Sequence, residues 1–122
     1  MSIPTLFRGR MSVPVIAAPM FLVSGPHLVI AACKAGVAGT FPTLNARPIE
    51  VLDEWLTLIN AELGAAMAAN PKAPIAPYGV NLILHHSNKR LAEDFELVVK
   101  HKVPFVITSL GLLGRAATQA VW

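Results

Sequence analysis

The sequence has little charge and almost no cysteine. Charged residues make up 14% of its 122 residues and hydrophobic residues 54%, so charge lies well below the usual quarter of a globular chain. The lysines and arginines are scattered singly, which argues against a nucleic-acid-binding protein. Cys33 is the one cysteine and excludes an internal disulfide and a cysteine-based zinc cluster. The cytoplasm, a reducing compartment, is therefore the expected location.

A long stretch without fixed charge lies between Arg10 and Lys34, and its length would suffice for a membrane span. With two arginines before it, the stretch also has features of a secretory signal. Three prolines interrupt it: Pro14, Pro19 and Pro26. Because proline removes a backbone donor and strains a continuous helix, we expect neither membrane insertion nor export.

Short, continuously apolar runs alternate with helical patterns along the chain. The runs predict four strands, at residues 13–18, 37–41, 78–84 and 104–109. Strands of this kind, apolar at every position, are typical of a parallel sheet covered on both faces, or of a barrel. The chain is therefore predicted to be a single α/β domain with the order β-α-β-α-β-α-β.

Three helices are predicted between these strands. The first begins at Pro26, with Ser24 or Gly25 as its cap, and ends with Gly36 in the left-handed conformation. The second runs from about residue 47 to residue 70. One face of it is apolar at helical spacing and carries Leu52, Trp55, Leu56, Ile59 and Leu63. The third follows Ser87 and Asn88, either of which can cap it.

Ligands of parallel α/β sheets bind at the carboxyl ends of the strands. The rule selects four places: Ala18-Pro19-Met20, Phe41-Pro42-Thr43, residues 81–86 and Ser109-Leu110-Gly111. These places hold few polar residues, and the sequence contains no phosphate-binding P-loop and no GxGxxG fingerprint. No Ser/His/Asp set or carboxylate pair stands out either, so no catalytic acid or base is assigned.

Asn81 is the most informative polar residue because its neighbours Val80 and Leu82 are apolar, and a buried amide must be hydrogen-bonded. It is either a buried asparagine bonded to the next strand or a side chain directed at a ligand, and the residues alone leave both open. His85 and His86 follow the same strand. Adjacent residues of an extended chain point to opposite sides, so these two are not expected to bind one metal ion.

Five segments of the chain resemble a known family. They are residues 14–20 (PVIAAPM), 32–42 (ACKAGVAGTFP), 44–48 (LNARP), 78–82 (YGVNL) and 105–111 (FVITSLG). In this order they resemble the N-terminal part of nitronate monooxygenase, formerly called 2-nitropropane dioxygenase. The similarity covers about residues 10 to 111.

The resemblance implies a TIM (β/α)8 barrel, of which this chain would form the N-terminal half, about four βα units. It implies an FMN flavoprotein, an oxidoreductase that oxidises alkyl nitronates with O2 as co-substrate. In such enzymes the backbone of the segment matching Ala18, Pro19 and Met20 lies against the isoalloxazine ring, and the residue matching Asn81 contacts FMN.

The chain also departs from the family. The family's catalytic histidine and its glycine-rich phosphate-binding segments lie in later strands, and residues 112–122 form a divergent tail. We therefore expect residues 1–122 by themselves to be incomplete and inactive. The alternative is a non-catalytic half-barrel that self-associates or pairs with a partner chain through open sheet edges. A flavodoxin-like domain is disfavoured, because the apolar residues 20–23 stand where its phosphate loop would be.

Overall fold

The structure is a computed structural model, and it describes residues 2–111; the predicted divergent tail lies outside them. The described chain alternates strands and helices as the sequence predicts. The elements are β1 (Ile16–Ala17), α1 (Pro26–Lys34), β2 (Ala38–Pro42), a 3-10 turn (Thr43–Asn45), α2 (Ile49–Ala69), β3 (Gly79–Ile83), α3 (Leu91–Lys100) and β4 (Phe105–Ser109). The α/β class is confirmed.

The four strands form one parallel sheet in the order β1-β2-β3-β4. Each strand therefore lies beside its neighbour in sequence. A flavodoxin-like domain would place its second strand outside its first, so that alternative is wrong. The residues 2–111 leave one edge of β1 and one edge of β4 without a neighbouring strand.

The three helices pack on one face of the sheet. The core on this face joins Val29 of α1, Leu56 of α2 and Val98 of α3 to Phe41 and Val80 of the strands. The predicted apolar stripe of α2 is confirmed, since all four of its aliphatic residues are buried. Its Trp55 ring meets the Phe41 ring edge to face at 5.6 Å between centroids, which adds specific geometry to the burial.

The opposite face has no helix among residues 2–111, so a sheet with helices on both faces is not what forms. The N-terminal segment, residues 2–11, covers the amino end of this face instead. Its Phe7 packs edge to face on Phe105 of β4, with the ring centroids 5.2 Å apart. We call this side of the sheet the open face.

Several boundaries differ from the predicted ones for local reasons. Only two residues of the predicted first strand pair with β2, because Pro14 has no N–H and the Val15 N–H bonds to the Val13 carbonyl. Neither Ser87 nor Asn88 caps α3. Asn88 instead accepts a hydrogen bond from the Arg90 N–H at 3.1 Å, which closes a turn before the helix begins.

The ends of α1 are closer to the prediction. Gly25 is its N-cap, without a side-chain hydrogen bond, and Gly36 has the predicted left-handed conformation with φ +80°. No helix within residues 2–111 is long and apolar enough to cross a membrane.

Candidate functional site

The predicted site residues lie at one end of the sheet. Because all four strands are parallel, their carboxyl ends share an edge. The register places Ala17 beside Gly39 and Pro42 beside Asn81. Met20 lies three residues beyond the end of β1, and its carbonyl accepts a hydrogen bond from Asn45, which follows β2. Met20 and Asn81 therefore both belong to the carboxyl end of the sheet.

Asn81 lies on the open face and is 8% exposed. Its Nδ2 donates to the Ile107 carbonyl at 3.0 Å and to Ser109 Oγ at 3.2 Å, both on the neighbouring strand β4. The interpretation as a buried amide bonded to the next strand is thus correct for the nitrogen. Its Oδ1 accepts no hydrogen bond from residues 2–111, so the acceptor of the amide is available to a donor.

The segment after β1 exposes a run of apolar side chains at the same end. Residues 20–23 have exposed fractions of 44% for Met20, 62% for Phe21, 71% for Leu22 and 67% for Val23, and we call them the apolar rim. Ala18 before them is also exposed, and Pro19 is half-buried. Met20 is therefore a surface residue and does not fill the core.

Ser24 ends the rim and is buried, in contrast to the four residues before it. Its Oγ accepts a hydrogen bond from the Met20 N–H at 2.8 Å. This explains why Ser24 does not cap α1: its hydroxyl oxygen already closes the segment at Met20. The turn is thus part of the rim rather than part of the helix.

Asn45 attaches the rim to the rest of the site, although it is not among the site residues predicted from the sequence. Its Nδ2 donates to the Met20 carbonyl and to the Ser24 carbonyl, each at 2.9 Å. Its Oδ1 accepts from the Leu22 N–H at 3.1 Å. Two sequence signals could have found it: its place in the family-like segment 44–48, and its position shortly after β2, at the carboxyl end of the sheet.

A buried ion pair supports the turn that carries Asn45. Asp94 is fully buried, and its Oδ1 accepts hydrogen bonds from Arg90 Nε at 3.1 Å and Nη2 at 2.8 Å. Arg90 Nη1 donates to the Ala46 carbonyl at 2.6 Å, directly beyond Asn45. The pair therefore connects α3 to the 3-10 turn, which residue spacing alone could not show.

The cationic side chain of Arg47 also lies beside the apolar rim. The Arg47 guanidinium carbon lies 5.9 Å from the centroid of the Phe21 ring, at the limit of a cation–π contact. Arg47 is exposed, so it places a positive charge beside the apolar side chains.

The side chains of His85 and His86 are oriented differently from the prediction. The rings of His85 and His86 stack with centroids 4.0 Å apart, so the expectation of opposite directions is wrong. The reason is that the chain leaves its extended conformation after Ile83 and enters a turn. No group of three or more His, Cys, Asp or Glu side chains in the described part of the chain could hold a metal ion.

His101 is largely buried and bonded to Asp53 of α2. This hydrogen bond, together with one from Lys100, lowers the pKa of the Asp53 carboxyl. The contact lies where α3 ends, at the amino end of the sheet. It is therefore remote from the predicted site.

Cys33 is buried in the core, and burial raises the pKa of its thiol. Its sulfur accepts a hydrogen bond from the Gly39 N–H at 3.3 Å. Cys33 is therefore a small buried thiol of the core.

An apolar cavity of about 380 Å³ opens beneath the N-terminal segment, lined by Ile3, Phe7, Met11 and Ile16 among others. It lies at the amino end, away from Asn81. Comparisons of the chain with protein-family models, with curated proteins and with solved structures found no match.

Proposed function

We propose that this chain is the flavin-supporting part of an FMN-dependent enzyme that oxidises alkyl nitronates with O2. One observation carries the proposal beyond the sequence motifs. The corner at Ala18-Pro19-Met20 and Asn81 Oδ1, which accepts no hydrogen bond within residues 2–111, belong to the same carboxyl end of a parallel sheet, which is where α/β proteins bind ligands.

The wider architecture we propose is the first four βα units of a TIM barrel. Two features favour it: the strands follow one another in sequence order, and the helices pack on one face. In a (β/α)8 barrel the strands have this order, the helices form an outer ring, and the inner face closes on itself. The open face would then be the barrel interior.

The residues at the carboxyl end suit the ring system of FMN. The apolar Pro19 and Met20 offer a surface against which a flat ring can pack, and Asn81 Oδ1 offers an acceptor for a ring N–H. The hydrogen bonds from Asn81 Nδ2 to β4 fix the direction of that oxygen. FMN, when bound, supplies the electron acceptor for the nitronate.

The phosphate of FMN is not assigned to these residues. Within residues 2–111, no strand is followed by a loop with two glycines that could admit a phosphate close to the backbone. The catalytic histidine of the family has no counterpart among the motifs of this chain. We therefore assign Ala18, Pro19, Met20 and Asn81 to the ring, and we assign no catalytic residue.

Titration of the purified chain with FMN tests the proposal. We expect saturable binding with a changed flavin absorption spectrum, and weaker binding by Asn81→Ala. Asn70→Ala is the matched control, because Asn70 lies at the end of α2, at the amino end of the sheet. A chain that is folded by circular dichroism but does not bind FMN would refute the proposal.

Oxygen uptake with an alkyl nitronate tests the reaction. We expect the chain with added FMN to show no more uptake than free FMN, because it supplies no assigned catalytic group. Rapid turnover by the 122-residue chain would contradict that expectation, although it would strengthen the assignment to nitronate oxidation.

A second candidate is a non-catalytic role in self-association. Within residues 2–111, one edge of β1 and one edge of β4 have no neighbouring strand, which favours it. At β1 and just before it, Val13, Val15 and Ile16 are 46%, 51% and 43% exposed. Two copies related by a two-fold axis could pair β4 of each with β1 of the other, covering both edges at once. Light scattering separates the cases: a monomer at high concentration would refute this candidate, and a stable dimer would support it.

A further inference from the structure

We infer that Asn45 is a positioning residue, which holds the apolar rim in the conformation that meets the ligand. The inference rests on the proposed function, because it takes the rim as the support of a flavin ring. Asn45 itself would act through Met20 and its neighbours.

Besides Asn45, the rim is held by the Ser24 hydroxyl oxygen and by backbone hydrogen bonds from the Val23 and Ser24 N–H groups to the Met20 carbonyl, none of which involves Leu22. The four side chains of the rim are between 44% and 71% exposed, so burial contributes little to fixing them. Leu22 also has φ +64°, in the left-handed region that a side chain with a Cβ disfavours. A segment of this kind adopts one conformation only when polar contacts determine it.

The Asn45 amide supplies three such contacts within five residues of chain. Its oxygen accepts from the N–H of Leu22, the residue in the disfavoured conformation. Its nitrogen donates to the carbonyls of Met20 and Ser24, which lie on either side. One side chain therefore bonds to the first residue of the rim, to Leu22 within it, and to Ser24, which directly follows it.

Asn45 is in turn held from the other side. Arg90 donates to the carbonyl of Ala46, the next residue, at 2.6 Å, and the buried Asp94 holds the guanidinium in place. These contacts hold the 3-10 turn against α3 independently of the rim. Asn45 thus connects the exposed rim to a turn that the buried Arg90–Asp94 pair holds in place, as expected of a residue that supports a binding surface.

Two substitutions separate the contacts. Asn45→Ala removes all three hydrogen bonds. Asn45→Asp keeps the acceptor for the Leu22 N–H but places a carboxylate oxygen opposite the carbonyls of Met20 and Ser24, with which it cannot bond. Asn70→Ala again serves as the control, because it changes an exposed asparagine at the other end of the sheet.

Amide hydrogen exchange on the flavin-free chain reads out the rim directly. In Asn45→Ala we expect exchange at the Leu22 amide to accelerate at least tenfold, with core amides such as that of Val80 unchanged. In Asn45→Asp, the Leu22 amide should stay closer to its original rate. Unchanged exchange at Leu22 in Asn45→Ala would overturn the inference.

FMN titration supplies the second measurement. We expect the dissociation constant to rise about tenfold or more in Asn45→Ala and to stay the same in Asn70→Ala. Accelerated exchange with unchanged FMN affinity would overturn the link between the rim and the ligand. If the unmodified chain does not bind FMN, the proposed function fails, and the exchange data alone then decide whether Asn45 orders the rim.

Discussion

The two faces of the sheet differ in the side-chain contacts that stabilise them. On the helical face, large apolar side chains such as Phe41, Leu56 and Leu82 are fully buried against three helices. On the open face, Asn81 and Ser109 share a hydrogen bond, and Phe7 packs on Phe105 at the amino end only. The difference indicates that the helical face determines stability, whereas the open face carries the polar and exposed groups that could contact a ligand.

The largest expected effect is a core truncation on the helical face. Leu56→Ala should lower the free energy of unfolding by about 2–5 kcal/mol, because it leaves a cavity in a core that can collapse only partly. Leu58→Ala on the same helix is the control, since Leu58 is 37% exposed; it should cost less than about 1 kcal/mol. Equal losses in urea unfolding would contradict the assignment of stability to this face.

Two glycines of adjacent strands allow a direct comparison of the faces. A Cβ on Gly39 would lie 2.7 Å from the Val29 carbonyl oxygen of α1, whereas a Cβ on Gly79 would lie 2.5 Å from the Phe105 ring on the open face. A helix backbone cannot yield, but a ring at the end of a side chain can turn. We expect Gly39→Ala to cost about 3 kcal/mol and Gly79→Ala about 1 kcal/mol. A larger loss of unfolding free energy in Gly79→Ala than in Gly39→Ala, measured by urea unfolding, would contradict the proposed difference between the faces.

A polar substitution on the open face should separate stability from binding. Asn81→Ala removes two hydrogen bonds to β4. We expect it to cost about 1 kcal/mol, since β4 is the edge strand of the sheet formed by residues 2–111, where water can replace the lost bonds. The same variant should lose most of its FMN affinity. A loss of stability as large as that of Leu56→Ala would show that Asn81 is a structural residue.

The smallest expected effect is that of replacing Asp53. This residue lies on α2 and belongs to neither face of the sheet. The hydrogen bond from His101, and that from Lys100, lower its pKa in the folded chain, so folding is favoured by its ionised form. This contribution is fully present above the pKa of the unfolded chain, about 4, and is lost as the pH falls through the lowered folded value. Asp53→Asn should therefore destabilise the chain at pH 6, and this difference should shrink as the pH falls below about 4. A difference independent of pH would contradict this.

Element types were predictable from the sequence because they depend on local pattern. The apolar spacing along α2 predicted its buried stripe, and continuous apolar runs marked the positions of all four strands. The parallel sheet followed from the alternation of strands and helices. The order of the strands and the placement of all three helices on one face depend on how distant segments pack, which periodicity does not encode.

The position of the candidate site residues at the carboxyl end of the sheet was predictable from the sequence, but the contacts that hold them in place were not. The rule of carboxyl ends selected Met20 and Asn81 without reference to contacts. Asn45 and the pair Arg90–Asp94 act across 20 to 50 residues of sequence through specific hydrogen bonds. No local pattern distinguishes such an asparagine or arginine from one in solvent, so their roles emerge only once the chain is folded.

The contact of the N-terminal segment with β4 has a consequence for the order of assembly during synthesis. Phe7 is translated nearly a hundred residues before its aromatic partner Phe105. Arg10 similarly precedes the carbonyl of Ile75, to which it donates a hydrogen bond. Since domains fold as the nascent chain emerges, residues 2–11 can dock on the open face only after β4 has been made.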